Sequence, residues 1–213
     1  MIGAIIITYF AADIINRSKI EQLTTENITK IEDINAKNEN FTNYYLQGSI
    51  TMDSAREIRE VGNYHFDFAL FWYNNALRNV TDLLIQQCVD NCTTAMEKYL
   101  ESYEGFGNST PYFETAMTYI SENNSRYNQY REILGYYIGF AQAGQNITLR
   151  RYNASDYLRR AAENLSSGNM ENVTMLIASF NQTLIIYQQE MQGYTDFKNQ
   201  VDGYLFFSEI REE

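Results

Sequence analysis

Cys88 and Cys92, in the stretch CVDNC, stand four residues apart and so share one face of a helix beside Asp90. Two thiolates at that spacing are half of a tetrahedral metal site, but the single histidine, His65, is more than twenty residues away. A disulfide between them is strained inside a regular helix, because their side chains are poorly directed for it. They read as small core-facing residues; a disulfide to another subunit is the alternative that fits assembly. His65 sits beside Phe66 in an apolar stretch with no Ser, Asp or Cys in a catalytic context, and reads as structural. The carboxylates are scattered: Glu57 and Glu60, or Glu209, Glu212 and Glu213, suit solvated faces and helix ends better than acid/base pairs. No catalytic, metal or cofactor-binding residue is assigned, and no enzyme is expected.

Two basic pairs remain, Arg150 with Arg151 and Arg159 with Arg160, flanking Tyr152 and Tyr157. They read as local charge partners of Asp156 and Glu163, and alternatively as a carboxylate-binding patch. Tyrosine occurs 18 times, with a cluster in YNQYREILGYYIGF at 127 to 140. A ring that can be buried while its hydroxyl stays wet suits a wide helical core or a contact surface.

Asparagine carries the strongest signal. Asn-x-Ser/Thr occurs at Asn16, Asn27, Asn40, Asn79, Asn91, Asn108, Asn123, Asn146, Asn153, Asn164, Asn172 and Asn181. Chance placement at this composition gives roughly 3 such acceptors, so the chain reads as an extracellular, cell-surface glycoprotein with covalent N-linked glycans. A formal charge of −11 with a pI near 4.6 repels phosphate backbones, and there is no basic cluster to overcome it locally, so nucleic acid is set aside. Two cysteines make no disulfide framework, which leaves stability to helix packing.

The elements that position these residues are helices. A single proline in 213 residues and a three-four apolar spacing throughout predict an all-α, long antiparallel four-helix bundle. The first helix is expected to end at Gln47, with Gly48 and Ser49 as the turn, and the second to run from Met52 to about Glu104. GFGNST at 105 to 110 reads as a loop, and Thr110 with Pro111 as the start of a third helix, broken near Gly144. SSGN at 166 to 169 closes it, with Asn169 capping the last helix, whose seam includes Ile177, Phe180, Leu184, Tyr187, Met191 and Tyr194. The chain divides into an apolar segment at 1–15, continuous with the first helix, and a glycosylated bundle at 16–213.

The opening segment is apolar nearly all round: Ile2, Ile5, Ile6, Ile7, Tyr9, Phe10, Ile14 and Ile15. A span needs about 20 apolar residues, and this stretch is shorter and carries Asp13. A signal peptide needs a charged region before its apolar core, so the chain reads as processed or as starting inside a longer precursor. A turn at 48 to 51 would place Ile5 beside Thr94 and Ala11 beside Cys88, against the polar stretch 85–104, which does not suit hydrocarbon. The exposed face of such a helix then needs another copy, with membrane contact through residues 1–15 as the other expectation.

An apolar helix at the start, followed by a long acidic domain dense in sequons, resembles the subunits of archaeal type IV pilin-like surface filaments over Met1 to Ile15. In that family the apolar helices pack as the filament core. Position 5 here is Ile5, where bacterial pilins carry a glutamate, and the archaeal outer domains are β-rich where this chain reads as helical. The expectation is a non-enzymatic structural subunit, a homo-oligomer or polymer of a filament or layer. The alternative is an extracytoplasmic four-helix-bundle ligand-sensing domain, similar to those of chemoreceptors and sensor kinases, with a small-molecule ligand at the basic pairs.

Overall fold

The computed structural model describes residues 2–120 and 128–203, with side chains described at Lys19 and from 22 onward. Four helices make up nearly all of it: α1 Ile2–Arg78, α2 Asp82–Thr118, α3 Asn128–Ser166 and α4 Met170–Asp202. There is no strand among the described residues, as the apolar spacing predicts.

One seam explains the length of α1. Tyr45, Gly48, Met52, Ala55, Arg59, Gly62, Phe66, Ala69, Tyr73 and Ala76 alternate three and four residues apart, and every one is buried. The expected turn at Gly48 and Ser49 is therefore absent: a Cβ on Gly48 would meet the ring of Phe113 at 2.8 Å, so this glycine lets α2 approach closely instead of ending a helix. The chain turns at Asn79 to Thr81. There Thr81 caps α2 by accepting from the Leu84 amide, with Asp82 in the first turn.

The same correction holds twice more. Residues 105–110 lie inside α2, with Pro111 within the helix, because Phe106, Ser109 and Phe113 are core residues. A Cβ on Gly105 would meet that of Ala55 at 2.9 Å. The third helix accordingly begins at Asn128, after α2 ends at Thr118. α3 then runs unbroken through Gly144, where a Cβ would stand 2.6 Å from the Phe106 ring. The cap at Asn169 is as expected: its side chain accepts from the Asn172 amide, after Gly168 at φ 71°.

Successive helices pack on one another. Gly48 faces Phe113, Gly62 faces Tyr99, and His65 bonds Asn91 between α1 and α2. Gly107 faces Gln145, and Phe113 packs on Tyr137, between α2 and α3. Gly139 faces Phe197, Arg150 pairs with Glu190, and Asn164 bonds Asn172 between α3 and α4. No described Cα of α4 comes within 8 Å of one in α1. Those two helices meet through long side chains, as where Phe66 stacks on Phe180.

The core has two parts. One gathers Phe66, Tyr73, Cys88, Cys92, Tyr99 and Leu158; the other gathers Tyr45, Met52, Phe106, Phe113, Phe140 and Tyr194. On α1 the seam positions between them are Arg59 and Gly62, an arginine and a residue without a side chain.

The fold at 79–81 also overturns the register expected for the opening segment. Stretch 85–104 lies beside the bundle half of α1, as Tyr99 with Gly62 and Asn91 with His65 record, and not beside Ile5 or Ala11. Every residue from Gln22 to Asn40 is exposed, so α1 projects from the bundle end.

Candidate functional site

The projecting helix carries the first candidate. Leu23, Ile28, Ile31 and Ile34 are each more than half exposed. Counting back from the bundle seam at Tyr45 in steps of four and three gives Phe41, Asn38, Ile34, Ile31 and Asn27. Phe41 still packs on Tyr130 of α3; from Asn38 back, the spacing that buries α1 inside the bundle continues outside it, where no described helix covers it. Ile2, Ile5, Ile6, Ile7, Tyr9, Phe10, Ile14 and Ile15 lie on the helical backbone of α1; their side chains are outside the described residues. Among the described residues no helix is long and apolar enough to cross a membrane.

The expected glycan acceptors divide by exposure. Asn27, Asn40, Asn79, Asn108, Asn146 and Asn181 are exposed; Asn91, Asn153, Asn164 and Asn172 are half-buried. Asn16 and Asn123 fall outside the described side chains. Asn91 donates to the Gln87 carbonyl at 2.8 Å, and its Oδ1 meets His65 Nδ1 at 3.1 Å. The Asn172 amide donates to Asn164 Oδ1 at 3.2 Å.

Cys88 and Cys92 are free and fully buried. The hydrogen bond to Cys88 and burial push the Cys92 thiol far up, so it is held as an unreactive thiol. Among the described residues no three His, Cys, Asp or Glu side chains converge as metal ligands. Glu209, Glu212 and Glu213 lie outside the described residues.

The basic pairs separate. Arg150 grips Glu190 of α4 through Nε and Nη2, at 3.0 to 3.2 Å. Arg159 bonds Asp156 at 2.8 Å and Glu163 at 2.7 Å, and Arg160 lies 3.6 Å from Asp156, the local pairing expected of them. Arg151 does something else: its guanidinium lies between the rings of Phe66 and Tyr187, 4.6 and 4.2 Å from their centroids.

Sequence reasoning passed over the arginines of α1. Arg59 is 8% exposed and lies 4.6 Å from the Tyr194 centroid, while Arg56 lies 5.6 Å from that of Phe140. Arg59 donates from Nη2 to Glu60 at 2.8 Å, and Asn63 donates to the other Glu60 oxygen at 3.1 Å. Partial burial pushes the Glu60 carboxyl up, but these bonds and the charges of Arg59 and Arg151 outweigh it and hold it below its usual range. Between α1 and α4 runs an open groove of about 530 Å³, lined by Arg56, Arg59, Glu60, Met191, Tyr194 and Lys198 among others. The available signal was an arginine at a seam position, which an apolar-periodicity scan counts only as a break.

Comparison with family models, curated proteins and solved structures gave no match for this chain.

Proposed function

We propose that the chain is a non-enzymatic, extracytoplasmic glycoprotein whose four helices form a long antiparallel bundle, carried on a projecting helix that assembles with copies of itself. The observation that carries this is the continuation of the α1 seam beyond Phe41 through Asn38, Ile34 and Ile31, within residues 22–40, which are exposed throughout. Ile31 and Ile34, followed four residues on by Asn38, keep the three-four spacing of a weak coiled coil, in which a seam asparagine selects register and partner number, and the acceptor Asn27 marks where that seam stops. Stretch 85–104 flanks the bundle half of α1 and not residues 1–15, and the need for a partner is the greater for it, because the projecting helix has none in its own chain among the described residues. A pilin-like filament or layer is the assembly expected, with residues 1–15 in its core. Electron microscopy of material shed from the source cells, with peptide mass spectrometry, tests this: ordered polymers containing the chain support it, and a uniformly monomeric chain without detergent opposes it.

A second reading, the sensing domain, has its own support. Val201, near the end of α4, packs in one cluster with Tyr45 and Met52, so α4 returns to the end of the bundle from which α1 projects. A membrane-tethered sensing bundle needs both strands of its tether at one end. Recovery of a membrane-held, unpolymerised protein would favour this reading.

A further inference from the structure

The α1/α4 seam holds charge that the fold leaves unsatisfied. Arg59 keeps Nε and Nη1 buried without a hydrogen-bond partner; only Nη2 is bonded, to Glu60. Arg151 likewise has a buried Nε without a partner. A guanidinium does not shed its proton, so the cost of desolvating it cannot be relieved by neutralisation. With Arg56, these are three guanidinium groups laid on aromatic rings along one seam of a chain whose net charge is −11. Burying charge without full pairing costs stability, and a packing role alone would be met better by an apolar side chain of the same length.

The groove over Arg59 is of the size that takes a small molecule. Its walls combine the charged side chains of α1 and Lys198 with the apolar faces of Met191 and Tyr194. Asp53, Glu57 and Glu60 also line it; Asp53 pairs with Arg56 at 3.0 Å, Glu60 with Arg59 Nη2 and Asp202 with Lys198, so the donors left over for a ligand are Nε and Nη1 of Arg59. We infer that this groove binds a small organic carboxylate, whose oxygens accept from Arg59 while its apolar part lies on Met191 and Tyr194. α4 meets α1 here through side chains alone, and the buried Tyr194 ring that lies on Arg59 is the group such a ligand must displace to reach Nε and Nη1. This inference stands apart from assembly through the projecting helix.

Thermal unfolding of the full chain with succinate or benzoate, against sodium chloride and sulfate at matched ionic strength, tests it. The expected result is a saturable rise of about 5 °C with one of the carboxylates and none with the salts. Arg59→Met should melt at the same temperature or higher without ligand and lose the response, whereas Arg160→Met, on the outer surface, should keep it. Arg56→Gln, half-buried at the rim, supplies a second variant and should weaken apparent affinity about tenfold. A response shared by chloride, a response that survives both groove variants, or none from either carboxylate overturns the inference.

Discussion

Gly48 of α1 and Phe113 of α2 are so close that a Cβ on the glycine would stand 2.8 Å from the ring. Phe113 is fully buried and packed on Tyr137, so it has no free space into which to swing. Gly48→Ala should therefore destabilise by roughly 1–2 kcal/mol, overpacking outweighing the gain in helix propensity. Gly193 of α4 has nothing within 4 Å of its would-be Cβ, and Gly193→Ala should stabilise by about 0.5–1 kcal/mol. Urea denaturation of both variants checks the contrast; two gains would contradict the packing described.

Tyr73 and Tyr99 make the opposite pair. The Tyr73 hydroxyl is buried without a partner, while that of Tyr99 donates to Asn63 Oδ1 at 2.8 Å. Tyr73→Phe should be neutral or stabilising by about 1 kcal/mol, and Tyr99→Phe should cost about 1 kcal/mol, read from the same denaturation curves.

Alkaline pH acts through the same groups. Burial raises the hydroxyls of Tyr99 and Tyr137 well above their usual value, and for Tyr137 the 2.7 Å hydrogen bond with Tyr45 adds to this. The folded pKa is the higher one, so this contribution to stability is complete below the unfolded value of about 10 and is lost as pH rises beyond it. The urea midpoint should fall steeply above roughly pH 10, and less steeply in the Tyr99→Phe, Tyr137→Phe double variant.

Glycan occupancy should follow exposure. Peptide mass spectrometry of native protein is expected to find sugars at Asn27, Asn40, Asn79, Asn108, Asn146 and Asn181, and Asn91 bare, since its side-chain amide is bonded on both sides. Sugars at Asn91 with the exposed six empty would contradict this.

The helical class, the seam of the last helix through Phe180 and Tyr194, and the Asn169 cap were legible because each rests on local spacing or local chemistry. Gly48, Gly105 and Gly144 were misread for one physical reason: a glycine that ends a helix and one that admits a neighbouring ring look alike until the neighbour is known. The error at Gly48 propagated, since it set the register that placed Ile5 beside Thr94. Arg59 was invisible for a related reason, because its unbonded nitrogens depend on Tyr194, which is 135 residues away in the chain.

Sedimentation equilibrium of the full chain against an Ile31→Lys, Ile34→Lys variant measures association through the projecting helix. Two charges on the exposed seam leave the bundle core untouched, so at dilutions where neither protein associates both should melt at the same temperature. A concentration-dependent oligomer is expected for the full chain and a clear loss of association in the variant. Equal masses for the two, whether both monomeric or both assembled, would contradict assembly through that helix.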